Sequence, residues 1–350
     1  MIPPPIARFL PVLALTLFSA LPFTTRAGTI GGGTLETPAE GPPPAFDIGG
    51  AGFVLVKNWD FGTSAGSTIK DMAALDENFQ YHDHYSNIVG GGGNYGAKIV
   101  ASDAASALGS QPVEGVNGVP AVRQFQTDSL KTFVVPLKPE AKEVSVTAQD
   151  AGCGSFQAKW TLPGAGKPLK QDILWETRVR YVPPKYFWYS HWIDGEVWHK
   201  VEIDVVEAFG FDNGGDSTNY DGHLWHSAIG IGTKPEDNKA AVKYGSWGKT
   251  MASVGVTQYD ASQYHVWTLL YRADNTVSIT VDGIEVQSGS LNWTVGGTAD
   301  AEPMKNVFFL FDATWGHKSI ASVKKKMPVS ELDGKFFEFD YSRVYLRAGK

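Results

Sequence analysis

Cysteine is almost missing from this chain: Cys153 is the only one in 350 residues. A lone thiol excludes an internal disulfide and any cysteine-built metal cluster, so a large apolar core has to carry the stability. Positive charge is also in short supply. Lys and Arg number 30 against 37 Asp and Glu, a formal net charge of −7. A negative surface disfavours nucleic acid and anionic membranes as partners, and mildly disfavours sulfated polymers. Long apolar runs are confined to the start of the chain. Even there, the stretch from about Phe9 to Phe23 is interrupted by two prolines and falls short of the ~20 residues a spanning helix needs. No stretch beyond about Met72–Leu75 invites a long amphipathic helix. The glycine-rich "GGGGNYG" at Gly90–Gly96 is not followed by the Lys-Ser/Thr pair of a phosphate loop, and reads as an ordinary loop.

What is present begins with "MIPPPIARFLPVLALTLFSALPFTTRA", residues 1–27. An early Arg8, a short apolar run and a small residue, Ala27, before Gly28 have the order of a cleaved secretory signal peptide. The expectation is a secreted or periplasmic protein. Removing this segment takes away Arg8 and Arg26 and no acid, so the net charge becomes −7 − 2 = −9. Residues 28–50, "GTIGGGTLETPAEGPPPAFDIGG", read as a flexible Gly/Pro-rich lead-in. Residues 51–350 then form one folded domain, expected to act as a monomer.

That domain has an all-β texture. Short runs rich in Val, Ile, Phe, Tyr and Trp recur between Gly, Pro, Asn and Asp, as in "GFVLVKNWDFG", "ILWETRVRYVPP" and "NVFFLFDATWG". Asp282-Gly283 in "TVSITVDGIEV" is a strong hairpin signal. Many strands with frequent turns predict two packed antiparallel sheets or a barrel.

One strand is unusual. "VEIDVVEAFG", Val201–Gly210, places Glu202, Asp204 and Glu207 within six residues, among β-branched Ile203, Val205 and Val206. Alternation puts Glu202 and Asp204 on one face but sends Glu207 into the core. Burying an unpaired carboxylate costs several kcal/mol. One extra residue accommodated near Val205–Val206 as a β-bulge returns Glu207 to the face of the other two, and bulges are enriched beside active sites. Three acids that close share protons, and one ionised beside one protonated carboxylate is the state glycoside hydrolysis needs. Solvated acids and a calcium site are the alternative readings. The upstream "YFWYSHWIDGEVWHK" adds flat rings suited to sugars: Trp188 in its aromatic run, and Trp192 and Trp198 in its turn-like part. The acids and rings together are expected to line an open groove.

These residues resemble glycoside hydrolase family 16, whose signature is E-x-D-x-x-E, here "EIDVVE". That family includes laminarinases, β-agarases and κ-carrageenases on a concanavalin A-like β-jelly-roll sandwich of two antiparallel sheets. The order along the chain agrees from about Phe53 to Arg347. "FVLVKNWDFG" is similar to the opening strand, "LWETRVRYVP" to the strand reading Gly-x-F/Y-E-x-R-x-K-x-P, and "FEFDYSRVYLR" to the closing Val-Asp-Tyr-Val-Arg-Val-Tyr strand. The resemblance implies Glu202 as nucleophile, Glu207 as general acid/base and Asp204 as the acid supporting the nucleophile. It also implies a histidine on the next strand, for which His226 fits better than His223, and a structural Ca²⁺ at Asp340 on the convex side. No cofactor is required for the chemistry. There are departures: "WHKVEID" stands where Trp-Pro-x-x-Gly-Glu-x-Asp is common, and Leu75–Val100 looks like an insertion walling one end of the groove. His82, Asp83 and His84 within it have metal-ligand character, but their spacing gives alternating faces on a strand.

The function this implies is a retaining endo-glycosidase hydrolysing a β-linked polysaccharide. The surroundings of Glu202 are aromatic and acidic with only Lys185 and Lys200 nearby, which favours a neutral β-1,3-glucan as partner over a sulfated galactan. An agarase- or carrageenase-like galactanase, a transglycosylase and a non-catalytic lectin-like domain remain as alternatives.

Overall fold

The computed structural model describes residues 46–48, 51–80, 122–133, 135–136, 140–145, 151–152, 156–160, 171–182, 187–194, 202–209, 224–230, 249–250, 259–274, 276–290, 308–315 and 326–348. The expected signal peptide, most of the lead-in, the Gly90–Gly96 loop, His82–His84, Cys153, Trp198 and His223 lie outside the described residues.

In chain order the strands begin with β1 (Phe46–Ile48), β2 (Ala51–Asp60), β3 (Phe79–Gln80), β4 (Val122–Phe125), β5 (Leu130–Phe133), β6 (Val135–Pro136) and β7 (Glu143–Ser145). Then come β8 (Ala151–Gly152), β9 (Phe156–Ala158), β10 (Ile173–Val182), β11 (Phe187–Asp194), β12 (Glu202–Phe209), β13 (Leu224–Gly230) and β14 (Lys249–Thr250). They are followed by β15 (His265–Tyr271), β16 (Thr276–Val281), β17 (Ile284–Ser290), β18 (Phe308–Trp315), β19 (Lys326–Pro328) and β20 (Phe336–Arg347). One short helix, α1 (Met72–Asn78), is capped by Asp71, whose Oδ1 accepts from the Ala74 N–H at 2.8 Å.

Among the described residues the strands form two large antiparallel sheets. The first runs β1-β2-β20-β10-β15-β16-β17, with β5 and then β4 added beside β20, and the second runs β14-β13-β12-β11-β18-β9-β3. Among the described residues pairing starts at β1, where Phe46 pairs with Phe53, so strand structure includes Phe46–Ile48 of the expected lead-in. The start of the expected insertion, Phe79–Gln80, is likewise the edge strand β3 beside β9. The hairpin signal at Asp282-Gly283 is met: φ is 50° and 80° at these residues, a turn with both central residues left-handed, joining Val281 to Ile284.

The inner faces of the two sheets interdigitate. Trp59, Trp175 and Trp267 from the first sheet meet Tyr189, Ile193, Ile203, Phe309 and Phe311 from the second in one continuous core. Trp175 stands edge-on to Phe309 at 4.8 Å between ring centroids and at 70°, a favoured aromatic geometry.

The opposite face of the first sheet is charged and yet buried. Along β10, the buried Glu176 and Arg178 and the partly exposed Arg180 alternate with the core residues Trp175, Val179 and Tyr181. Beside them β20 presents Glu338, Asp340 and Arg343, and β2 presents Asp60. Arg343 Nη2 reaches Asp60 Oδ1 at 2.5 Å, Arg178 Nη1 reaches Asp340 Oδ2 at 2.5 Å, and Arg180 Nε reaches Glu338 Oε2 at 2.7 Å. Tyr264 lies under the guanidinium groups of Arg178 and Arg180 at 4.5 and 4.7 Å. Charges this dry persist only when paired.

Glu176 is the exception in electrostatic character. Burial pushes its carboxyl up to about 7, against the pull of the Tyr341 hydroxyl and the Arg343 charge, and with a further push from Asp340. The native protein therefore holds a proton that the unfolded chain has already lost, and this group costs stability as pH rises from about 4.5 to about 7. Thermal melts of Glu176→Gln should show a gain of a few degrees over wild type at pH 8 that disappears near pH 4.5. A gain independent of pH would contradict this account.

Candidate active site

The acids of β12 depend on how that strand pairs. Opposite β11, Val206 pairs with His191 and Asp204 with Trp192, which leaves Val205 without a partner of its own. Opposite β13, Asp204 pairs with Ala228 and Glu207 with His226, so three steps along β12 span two along β13. Both ladders show one extra residue in β12, which is a β-bulge at Val205–Val206. Ile203, Val205 and Val206 all enter the core, at 0, 1 and 0% exposure. A regular strand could not bury two consecutive valines on one side, and the bulge is the backbone's way of doing so.

The consequence is a set of three cross-strand rows on the face opposite the core. The first row holds Gly230, Glu202, Asp194 and Phe308. The second holds Ala228, Asp204, Trp192 and Leu310, and the third holds His226, Glu207, Ser190 and Asp312. Tyr189, His191 and Ile193 between them turn to the core, which fixes Ser190 and Trp192 to the acid face. The register thus brings positions 202, 204, 207, 192 and 226 together, with Trp188 one row further on, opposite Phe209 and Thr314. Of Glu202, Glu207, Trp188 and His226 only the backbone is among the described features, and Trp198 lies outside the described residues.

Two expectations are revised. Trp192 sits inside β11 rather than in a turn, and it is only 1% exposed. Ser190 and Asp204 are 4 and 5% exposed, so at these two positions the acid face is buried. An indole in the middle row, between flanking strands, fills the space that an exposed platform would leave open.

His191 belongs to the other side. Its ring meets Trp175 edge-on at 5.6 Å and Trp267 at 6.0 Å, and its Nδ1 lies 3.1 Å from the Tyr189 hydroxyl. Burial alone pulls its imidazole down to about 3, so it is neutral at any working pH and carries no proton for the acids.

The described surroundings of Asp340 do not fit a calcium ion. Arg178, itself buried, approaches its Oδ2 at 2.5 Å, and a guanidinium there repels a dication. Calcium takes six to eight oxygens, and no group of three or more acids or histidines among the described residues is placed to hold a metal. Asp340 is also the residue skipped where Arg178 and Val179 pair with Tyr341 and Phe339, so a bulge turns it towards Arg178.

Sequence reasoning passed over Asp194, Ser190 and Asp312. The signal for Asp312 was an acid inside an apolar strand, "FFLFDATW", the same signal that marked β12. Its row becomes apparent only through β11, which lies between β12 and β18.

No protein-family model matches this chain, and no curated protein does. Its structure is similar to solved ones. The endo-β-1,3-glucanase from Pyrococcus furiosus superposes with a TM-score of 0.52 at 14% identity, over 88% of this chain and 100% of that one. The endo-1,3-β-glucanase from Streptomyces sioyaensis gives 0.52 at 15% identity, over 87% and 99%. A β-agarase A in complex with oligoagarose gives 0.51 at 13% identity, over 87% and 97%. At such identities the likeness establishes the fold: a β-jelly-roll sandwich of two antiparallel sheets, shared over nearly the whole length of those chains.

Two outcomes follow from this geometry. Deleting Val206 should return β12 to strict alternation, turn position 207 towards the core and lower the melting temperature by about 5 °C or more, since burying an unpaired carboxylate costs several kcal/mol. A deletion variant melting like wild type would mean that the bulge is not what places position 207. For Asp340, wild-type melting should be unchanged by EGTA or by added Ca²⁺, whereas Arg178→Met should cost about 3–5 kcal/mol in denaturant unfolding by stranding a buried carboxylate. A calcium-dependent rise in melting temperature would show that an ion is bound there after all.

Proposed function

We propose that this protein is an exported, retaining endo-glycosidase that hydrolyses a β-linked polysaccharide, with a neutral β-1,3-glucan as first substrate. The observation that carries this reading is the bulge in β12, which sets positions 202, 204 and 207 on one sheet face beside position 226. The fold of this chain is similar to that of two endo-1,3-β-glucanases and a β-agarase. Glu202 attacks the anomeric carbon and forms the glycosyl-enzyme bond, while Glu207 gives its proton to the departing oxygen. Glu207 then takes a proton from water, which resolves the intermediate with net retention. Asp204, between them in sequence and buried, supports the nucleophile and holds part of the shared proton inventory. Trp188 and Trp198 line the sugar path, the buried Trp192 packs beneath the acid face as its support, and His226 supports Glu207 from the next strand. Export follows from residues 1–27. Among the described residues no helix is long and apolar enough to cross a membrane.

An agarase-like activity is the second reading, supported by the similarity to the β-agarase solved with oligoagarose. A panel of β-1,3-glucan, mixed-linkage β-glucan, agarose and κ-carrageenan separates these by release of reducing ends, with the anomer formed first read by NMR. Glu202→Gln and Glu207→Gln should each lose roughly a thousandfold in kcat with melting temperatures close to wild type. Wild-type protein that binds one of these polymers and never cleaves it would instead establish a lectin-like module. Products longer than the substrate would mark a transglycosylase.

A further inference from the structure

We infer that Ser190 is a positioning residue for Glu207, an inference that rests on the reading of Glu207 as the general acid/base. Ser190 lies on the acid face because its neighbours Tyr189 and His191 both turn to the core. In the register it stands directly opposite Glu207 on one side and Asp312 on the other. Cross-strand partners on one face bring their Cβ atoms within about 4.5–5.5 Å, close enough for a short hydroxyl to meet a carboxyl. At 4% exposure the residue has little access to bulk water, so its hydroxyl needs a partner within the protein, and the positions on either side of it in the row both carry carboxyls.

The chemistry of the hydroxyl suits this place. A retaining acid/base carries a proton in the first step and lacks it in the second. Amide and ammonium donors serve only one of these states at a given atom, whereas a serine hydroxyl accepts from the protonated carboxyl and, by rotation, donates to the ionised one. Ser190 can therefore hold the Glu207 carboxyl in one orientation through both steps. The bond to the ionised form is the stronger of the two, so the hydroxyl also eases the loss of the Glu207 proton. Among the described residues, the other titratable positions on this face are Glu202 and Asp204 on β12, Asp194 on β11, Asp312 on β18 and His226 on β13.

The test compares Ser190→Ala and Ser190→Thr with wild type on the polymer that the wild type cleaves. Ser190→Ala should lower kcat roughly tenfold with KM within about twofold. Its alkaline limb in the kcat/KM profile should move up by roughly half to one pH unit, because the ionised form has lost its donor. Ser190→Thr, which keeps the hydroxyl, should restore most of the rate and the original limb. An unchanged kcat and limb in Ser190→Ala overturns the inference, and so does a loss that tracks melting temperature with no movement of the limb. If Glu207→Gln is as active as wild type, the acid/base reading fails and this inference with it. If Glu207→Gln is inactive and Ser190→Ala is normal, only the role of Ser190 fails.

Discussion

Everything at the candidate site depends on one misfit between side-chain preference and strand geometry. Ile203, Val205 and Val206 are all better placed in the core, but a pleated strand can bury only alternate residues on one side. The backbone resolves the conflict with a single extra residue in β12, visible in both of its ladders. The apolar residues thus decide where the acids go. Two adjacent valines move inward, and position 207 is returned to the face of positions 202 and 204. The gathering of these three positions on one face is in this sense a by-product of hydrophobic burial, which is larger and less negotiable than any one charge contact.

The bulge needs a firm bed. β11 supplies it from the core side with Tyr189, His191 and Ile193, and these pack against Trp175, Trp267 and Phe337 of the facing sheet. Tyr189 lies 4.8 Å from Phe337 and 5.1 Å from Tyr181, in a stack that ties β11 to both β10 and β20. Rings in such contacts resist sliding, because a close-packed interior has few alternative fits. A register slip of β11 by one residue would exchange Ser190 and Trp192 with His191 and put an imidazole on the acid face. The aromatic core therefore fixes the register, and the register places the rows of the candidate site.

Much of this was legible in the residues. The hairpin at Asp282-Gly283 could be read from two residues because positive φ at both central positions is a local demand. The bulge could be read because two β-branched residues separating two acids violate a period of two. The face of Trp192 could not, since "YSHWID" fits a strand or a turn equally well until Ile193 and Tyr189 are seen to be core. Nor could Asp312 be joined to Glu207, for the link runs through β11 and no spacing along the chain encodes which strands are neighbours in a sheet. Local conflict is visible in sequence; lateral order is not.

The far side of the molecule shows the same limit in reverse. Glu176, Arg178, Arg343 and Asp340 look like an ordinary solvated strand face by alternation, since the outer face of an antiparallel sheet is commonly polar. Each is nevertheless at most 2% exposed. Alternation tells which residues share a face, but the partners of that face come from elsewhere in the chain. Once buried, the charges can persist only as pairs, and Arg178 with Asp340 is one such pair. That requirement explains why an acid in the place implied for a calcium ligand is here bound to a guanidinium. A fixed internal cation meets the same need for charge balance as a bound dication, and it does so without losing a ligand when the metal concentration falls. Its cost is directional: a guanidinium satisfies one or two carboxylates in a plane and leaves Glu176 to escape its charge by taking up a proton.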